Sequence, residues 1–275
     1  MSKKTVYEII TDRIIKKLEE GTIPWRKPWV GGPAVNWVTQ KAYQGINQIL
    51  LEGGEWLTFN QAKAAGGKIK KGAKSEIITF WKMREVKEED PKTGEEIIKK
   101  LPMLRYYNVF NINDVEGIKT KRKSESRNHD PIEEAEKIKE GYSDCPTITF
   151  RPGKAFYRPS DDTISLPETS DFYKIEEFYS TLFHEMIHST GHAKRLKRSG
   201  ITAIASFGSQ TYSKEELVAE IGSAMLCGMA GIETTTLDNQ AAYIKSWLGK
   251  LKDDPKLIIT ASSQAQKAAD YILGI

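Results

Sequence analysis

The sequence contains few of the residues that cross-link small proteins or bind metal ions through sulfur. Its two cysteines, Cys145 and Cys227, fall in separate predicted elements. Neither has a partner at the spacing of a disulfide framework or of a cysteine-based metal site, so neither kind of site is predicted. Unpaired cysteines are typical of a reducing compartment, and we therefore expect a cytoplasmic protein.

Long apolar runs are absent as well. No run approaches eighteen consecutive apolar residues, and the N-terminal residues lead straight into an amphipathic pattern. We therefore expect neither a membrane span nor an export signal. The composition, with 39% hydrophobic and 28% charged residues, is that of a globular protein, and 275 residues are enough for two domains.

Histidine is scarce too, but two of the four histidines stand in the sequence HEMIH at 184–188. On a helix, residues four apart lie on one face, so His184 and His188 can reach a single metal ion. Neutral imidazole suits Zn²⁺, and Glu185 would then accept a proton from a water molecule at the metal. Apolar residues recur at helical spacing around this run, which predicts a helix over about 174–190.

A third ligand is needed, and a carboxylate is the better candidate. His192 lies eight residues after the first histidine of the run, whereas H-E-x-x-H-x-x-G-x-x-H requires a spacing of ten. Ser213 opens a capping-box pattern for a second helix, and that helix carries Glu216 and Glu220. H-E-x-x-H followed by E-x-x-A-E resembles the gluzincin arrangement, in which the first acid binds zinc and the second orients a ligating histidine. On that resemblance we assign Glu216 as ligand and Glu220 as orienting acid; Glu220, and less strongly Glu215, remain alternative ligands.

Charge is distributed unevenly along the chain. Residues 1–84 contain fifteen Lys or Arg and seven Asp or Glu, a net charge of +8, whereas the remainder contains 26 basic and 30 acidic residues. A basic N-terminal half suggests a polyanionic partner. Its cations alternate with Trp and Tyr, which suits single-stranded nucleic acid, because the cation meets phosphate and the ring stacks on a base.

The candidate nucleic-acid contacts are aromatic residues beside cations or glycine, together with neighbouring basic and polar side chains. They are Trp25, Arg26, Lys27, Trp29, Tyr43, Asn47, Lys68, Lys70 and Lys71. Three other aromatic residues are expected to pack in the core instead, namely Trp37, Phe80 and Phe110.

Several of these stretches resemble ArdC-type antirestriction proteins. In the first half they are residues 7–11, 23–29, 43–47, 67–72 and 107–111. In the second half, residues 162–167, 179–192, 195–196 and 215–226 resemble that family's zincin-like metallopeptidase domain. The resemblance implies an α+β protein, with an N-terminal α/β domain that binds single-stranded DNA and a C-terminal zincin-like metallopeptidase domain. It also implies a mobile genetic element as the source and protection of incoming DNA from host restriction as the role.

We accordingly divide the chain into three parts. They are a single-stranded-DNA-binding domain at 1–118, a charged linker at 119–145 that is predicted to end in a helix, and a metallopeptidase domain at 146–275. Three short strands are predicted before the metal-binding helix, at 147–150, 155–158 and 163–166.

The expected function is that of a zinc-dependent, metallopeptidase-like antirestriction protein that binds single-stranded DNA. Zn²⁺, or another divalent metal, would be held by His184, His188 and Glu216. Tyr212 and His192 are candidates for stabilising an oxyanion or contacting substrate. The substrate would be a protein of the restriction or DNA-processing machinery. One alternative is a non-catalytic DNA-binding shield with a structural metal site, and another is a peptidase whose basic half binds RNA or protein.

Overall fold

Helices and strands contribute to both halves of the chain, and the fold belongs to the predicted α+β class. The computed structural model describes residues 4–20, 23–26, 33–89, 96–121, 131–151, 155–202, 210–232 and 240–275. The helices are α1 (Val6–Glu19), α2 (Ile46–Leu50), α3 (Phe59–Ala64), α4 (Pro131–Gly141), α5 (Ile175–Thr190), α6 (Ser199–Thr202), α7 (Gln210–Ala230), α8 (Gln240–Asp253) and α9 (Leu257–Leu273). The strands are β1 (Ala34–Asn36), β2 (Gly54–Thr58), β3 (Lys68–Ile69), β4 (Glu76–Glu89), β5 (Glu96–Asn111), β6 (Val115–Glu116), β7 (Thr147–Phe150), β8 (Phe156–Arg158) and β9 (Thr163–Leu166). Within the described ranges, no helix has both the length and the apolar character that a membrane span requires.

Helix α1 begins at a capping box and buries a regular apolar face. The Glu8 backbone N–H donates to Thr5 Oγ1 at 3.3 Å, and the Thr5 backbone N–H donates to the Glu8 carboxylate at 2.7 Å. These two bonds satisfy donors that the first helical turn leaves free. Ile10, Ile14 and Leu18 recur every four residues, are buried, and form the face that packs towards α8.

The first sheet has the strand order β1-β2-β5-β4, with β1 parallel to β2 and the other neighbours antiparallel. Its outer strand β4 pairs with β5 along its whole length and forms a hairpin that is longer than the rest of the sheet. From β-rich composition the sequence predicts strands over 75–82 and 105–111 with a polar hairpin tip at 87–94, and the observed β4 and β5 extend beyond these strands. Cross-strand ion pairs accommodate some of the charges in these extensions, such as Lys87 with Glu96 at 2.6 Å.

One apolar core extends through both halves of the chain. The Trp25 and Trp247 rings meet edge to face, with their centroids 6.2 Å apart, and Ile10 and Ile272 belong to the same buried cluster. Trp25 was predicted to contact nucleic acid, and this prediction was wrong. Its side chain is only 1% exposed, so no base can stack on the ring. A tryptophan beside cations had suggested an exposed contact, but Trp25 lies in a short 3₁₀ turn, Pro24–Arg26, with its ring in the core.

Both described ends of the predicted linker pack against the rest of the protein. At its start, Trp37 Nε1 donates to the Lys119 carbonyl at 3.0 Å, and the Lys121 backbone N–H donates to the buried Glu55 carboxylate at 3.0 Å. At its end, the predicted helix is present as α4, which buries Ala135 and Ile138 in the main core. Both described ends of the linker therefore contact the rest of the protein, although many of their side chains are exposed, and the three-part division of the chain remains a prediction.

The C-terminal half places a small sheet beside a group of packed helices. The sheet has the order β7-β9-β8, with β7 parallel and β8 antiparallel to β9, and its strands match the three predicted positions closely. Helix α5 follows the sheet and packs against α7, α9 and β8. This arrangement brings the predicted metal-binding helix between the edge strand β8 and the helix that carries Glu216.

Candidate metal centre

Helix α5 carries the two histidines of the HEMIH sequence in its last two turns. The helix spans Ile175–Thr190, so its prediction from apolar periodicity is confirmed. His184 and His188 lie one turn apart on the same face of the helix, and their Nε2 atoms are 3.1 Å apart. His188 and Glu185 are buried, whereas His184 is half-buried and remains accessible from solvent.

Helix α7 brings Glu216 to the two imidazoles. Glu216 Oε2 lies 3.7 Å from His184 Nε2, and Glu216 Oε1 lies 3.6 Å from His188 Nε2. The helix begins at Gln210, one turn before Ser213, so the prediction that Ser213 starts it was wrong. Ser213 is a buried residue inside the helix, and the acid three residues after it faces the histidines rather than the Ser213 backbone.

A glycine allows α7 to lie close enough for this contact. A Cβ atom on Gly222 would be 2.6 Å from Ile187 Cδ1, which is shorter than real Cβ contacts. Ile187 stands next to His188 on α5, so Gly222 controls the separation of the two helices beside the candidate ligands. Glycine is unfavourable by about 1 kcal/mol in a helix interior. A glycine inside an otherwise helical pattern is therefore a sequence signal of close helix packing.

The three ligand atoms have a geometry that fits a divalent cation. One ligand atom from each of His184, His188 and Glu216 lies within 4.8 Å of the other two. Four ligands at ordinary zinc bond lengths in a tetrahedron are separated by about 3.4 Å. The two Nε2 atoms are 3.1 Å apart, and each lies close to a different oxygen of Glu216, His184 at 3.7 Å from Oε2 and His188 at 3.6 Å from Oε1. Two imidazoles and one carboxylate are also a donor set typical of catalytic zinc sites.

Glu215 and Arg198 form a buried layer behind His188. Glu215 Oε1 lies 3.3 Å from His188 Nδ1, on the side of the ring away from the cluster, and 2.6 Å from Arg198 Nη2. Because a proton on Nδ1 leaves Nε2 free to coordinate, this contact favours the tautomer that a metal ligand needs. Glu215 had been a weak candidate for the third ligand. Its oxygens are instead engaged with His188 and Arg198.

Arg198 also ties the end of α5 to α7. Its guanidinium donates to Thr190 Oγ1 at 2.6 Å and to the Ile187 carbonyl at 2.7 Å, which satisfies an acceptor near the end of the helix. Neither Arg198 nor the orienting position of Glu215 was predicted, because a buried arginine leaves no periodic signal in the sequence. Glu220 is half-buried on α7, and its role as an orienting acid remains a prediction.

Burial and neighbouring charges shift the pKa values at the centre. Burial raises the pKa of Glu185, although His188 and a hydrogen bond from the Tyr157 backbone act in the opposite direction. Burial opposes ionisation of Glu215, yet its hydrogen bonds with His188 and Arg198 hold the pKa below the usual value. Burial also disfavours a charged His188, but the Glu215 hydrogen bond and the surrounding carboxylates raise its pKa.

Two residues were predicted to stabilise an oxyanion or contact substrate, His192 and Tyr212. His192 is half-buried in the turn after α5, where its Nδ1 accepts a hydrogen bond from the Lys194 backbone at 3.2 Å. The backbone of Tyr212 belongs to α7, but its side chain lies outside the described residues. Both roles remain predictions.

The predicted nucleic-acid contacts have mixed environments. The Asn47 amide is engaged within the fold, where Nδ2 donates to the Thr79 carbonyl at 2.8 Å and Oδ1 accepts from the Thr79 N–H at 2.7 Å, and its contact with nucleic acid remains a prediction. Tyr43 is half-buried against a small apolar cluster. The remaining candidates are exposed at Lys68, Lys70 and Lys71, whereas Lys27, Trp29 and the Arg26 side chain lie outside the described residues.

The aromatic residues that were expected in the core, Trp37, Phe80 and Phe110, are half-buried. Trp37 packs beside a small cluster and lies 4.0 Å below the Lys121 ammonium. Phe80 stacks on the exposed ring of Tyr107. Tyr107 was not among the predicted nucleic-acid contacts.

Two family models match the chain, one in each half. Residues 4–110 match the model for the N-terminal domain of anti-restriction factor ArdC, and residues 135–264 match that of a zincin-like metallopeptidase. The chain is 36% identical to the antirestriction ArdC protein of plasmid R388 in its metal-free structure, with a TM-score of 0.75 over 97% of this chain and 96% of that one. For the Mn(II)-bound structure of that protein the identity is 33% and the TM-score 0.77, over 98% of both chains.

Three further relatives match nearly the whole of this chain. The protein y4eC of Sinorhizobium fredii is 33% identical over 97% of this chain and 91% of its own length. Two Escherichia coli proteins named DNA primase TraC are 34% and 35% identical over 98% of this chain. The chain spans only 20% and 27% of their lengths.

The fold and the cluster of possible ligands define a two-part protein with a zincin-like C-terminal domain. The chain belongs to the ArdC antirestriction family. The zincin-like match, the Mn(II)-bound relative and the His184–His188–Glu216 cluster together indicate a divalent metal.

Proposed function

We propose that the protein is a zinc-dependent, peptidase-like antirestriction factor of a mobile element, which binds single-stranded DNA and acts in the cytoplasm. The observation that carries the catalytic part is the convergence of His184, His188 and Glu216 beside the buried Glu185. The exposed lysines of the N-terminal half and its match to the ArdC N-terminal domain support the DNA-binding part.

Each residue of the centre has a distinct role in this proposal. His184, His188 and Glu216 would hold the cation, which when bound lowers the pKa of a coordinated water and polarises a substrate carbonyl. Glu185 receives a proton, because it is adjacent to the first ligand and its raised pKa makes it a better base near neutral pH. Glu215 and Arg198 keep the His188 ring oriented.

The edge strand β8 is the proposed binding position for an extended peptide. Within the described part of the chain β8 pairs with β9 alone, and the backbone of Tyr157 on β8 contacts the Glu185 carboxylate. An edge strand offers free backbone groups that can pair with another chain. A peptide aligned along β8 would therefore lie beside the proposed base. Proteins of the restriction or DNA-processing machinery are the proposed substrates.

A Glu185→Gln variant tests turnover, with Glu176→Gln on the first turn of the same helix as the control. We expect the Glu185 variant to fold and retain metal but to lose its protection of unmodified DNA entering a restriction-proficient host. Full protection by this variant would contradict the catalytic proposal and would favour a DNA-binding shield with a structural metal. The control variant is expected to protect as well as the wild type.

A second comparison tests the partner of the basic half. Binding to single-stranded DNA, duplex DNA and RNA of matched sequence is measured over a range of salt concentrations. We expect the single-stranded DNA complex to be the tightest and to weaken as salt rises. Stronger binding to RNA would instead favour a peptidase that acts on RNA-associated proteins.

A further inference from the structure

The outer part of the β4–β5 hairpin has two faces of different character. Residues directly opposite each other in an antiparallel pair lie on the same face. What is here called the hairpin face is the middle stretch of one of these faces, with seven residues: Phe80, Lys82, Arg84, Leu101, Met103, Arg105 and Tyr107. By register the same face continues inward to Ile78 and outward to Val86 and Lys99, and then to Glu88 and Ile97 near the tip. Three of the seven are cationic and none is acidic. All except the half-buried Phe80 and Met103 are exposed.

The cations of the hairpin face are available to an external anion. Lys82, Arg84 and Arg105 form no ion pair with any residue in the described parts of the chain. On the opposite face, by contrast, Lys100 lies 3.6 Å from the Glu85 carboxylate. Side chains two residues apart on a strand are separated by about 7 Å, so Lys82 and Arg84 form a row of positive charge along β4. Such a row matches a linear polyanion.

An aromatic platform stands at the inner end of this row. The rings of Phe80 and Tyr107 are stacked, with centroids 4.6 Å apart and planes 2° from parallel. The Tyr107 side chain is 55% exposed, so a further flat ring can extend the stack. An unpaired nucleobase has a free face for such stacking, whereas the bases of a duplex are already stacked on one another. The occupant that fits both features is a single strand.

We infer that the hairpin face is the main contact surface for single-stranded DNA. The inference rests on the proposed function, and it moves the contact away from Trp25 and Asn47, which the fold uses internally. The phosphate backbone follows Lys82, Arg84 and Arg105, and one base stacks on the outer side of Tyr107.

Adjacent tyrosines on opposite faces provide a matched test of stacking. Tyr106 and Tyr107 are both exposed, at 43% and 55%, but only Tyr107 belongs to the hairpin face. The probe is a fluorescein-labelled oligothymidylate, and affinity is measured by fluorescence anisotropy. We expect Tyr107→Ala to weaken binding roughly 5- to 100-fold. Tyr107→Phe, which retains the ring, and Tyr106→Ala are expected to bind like the wild type.

The salt dependence of binding tests the charges. For single strands, each phosphate contact contributes roughly 0.7 to the slope of log K against log salt concentration. Replacing Lys82, Arg84 and Arg105 together by Gln should therefore make the slope less steep by about 2. Lys100→Gln on the opposite face should leave the slope unchanged. Circular dichroism of every variant confirms that the fold is retained.

The possible results separate the inference from the proposed function. If the wild type does not bind the oligonucleotide, both are overturned. If the wild type binds and the hairpin-face variants bind equally well, only the inference is overturned. The same conclusion follows if binding is lost only when Lys68, Lys70 and Lys71 are replaced by Gln. Equal affinity for a duplex would overturn the choice of a single strand as the occupant.

Discussion

Arg198 and Glu215 form an ion pair behind His188, with 2.6 Å between Nη2 and Oε1 and only 5% of each side chain exposed. The pair joins the turn after α5 to the start of α7, and Glu215 also contacts Nδ1 of His188. A cation site whose ligands come from two helices needs such a connection, because a small shift of either helix would separate the ligands.

Glu215→Gln is expected to weaken metal binding. The amide can still contact His188, but it removes the negative charge that favours a proton on Nδ1. Loss of such an outer partner typically lowers metal affinity about 10- to 100-fold. Isothermal titration with Zn²⁺ measures the change. Glu220→Gln is the informative comparison, because it was the acid predicted from the sequence to orient a histidine. If the Glu215 variant keeps wild-type affinity, the positioning role of Glu215 is wrong.

Removing only the arginine is expected to destabilise the fold. Arg198→Met leaves the Glu215 carboxylate buried without its cation, and breaking a buried pair in this way typically costs about 3–5 kcal/mol. Urea unfolding of the protein without metal gives the free energy of unfolding. A loss below about 1 kcal/mol, the range of exposed ion pairs, would show that the pair does not support the fold.

Replacing glycine by alanine should destabilise the protein at Gly222 and stabilise it at Gly249. Gly222→Ala places a Cβ against Ile187 and is expected to lower the free energy of unfolding by about 1–3 kcal/mol through overpacking. Gly249→Ala on α8 meets no atom within 4 Å and should raise it by up to about 1 kcal/mol, since alanine favours a helix. The Gly222 variant should also bind metal more weakly. Unchanged stability and unchanged metal affinity in this variant would contradict the conclusion that Gly222 allows α7 to approach α5 closely.

The ion pair between Asp162 and Arg195 predicts a pH dependence of stability. Burial opposes ionisation of Asp162, but hydrogen bonds from Arg195 and Tyr157 hold the pKa of this carboxyl below its usual value. A carboxyl with a lower pKa in the folded state stabilises the fold above its unfolded-state pKa. That contribution is lost as the pH falls through the folded-state pKa.

Asp162→Asn is therefore expected to be less stable than the wild type by about 1.5–3 kcal/mol at pH 7. The difference should diminish as the pH is lowered below about 4, where the wild-type carboxyl becomes protonated. Urea unfolding of both proteins at a series of pH values between these limits measures the difference in their free energies of unfolding. A difference that stays constant across the series would mean that charge on Asp162 is not the cause.

The sequence predicted the elements that local periodicity determines. The helix at about 174–190 and the three short strands before it are present, because apolar spacing and strand-forming residues act over a few positions. The sequence also identified His184, His188 and Glu216 together, and the structure places their ligand atoms within 4.8 Å. These three residues were grouped because H-E-x-x-H is followed in the sequence by E-x-x-A-E, and not because of apolar periodicity.

Features that depend on contacts between distant residues were missed or wrong. Arg198 and Glu215 meet only after α5 and α7 have packed. Trp25 looked like an exposed contact beside cations, but it fills the core that the two halves share. The hairpin was underestimated because its charged residues are stabilised by cross-strand pairing, which a single segment does not reveal.

Metal binding by ligand variants tests the central claim most directly. Zn²⁺ is titrated into chelator-treated wild type, His188→Ala, Glu216→Ala and the control Glu176→Gln, with folding verified by circular dichroism. We predict one bound ion per chain for the wild type and the control, and loss of tight binding in both ligand variants. One ion bound with unchanged affinity by His188→Ala and Glu216→Ala would contradict the account.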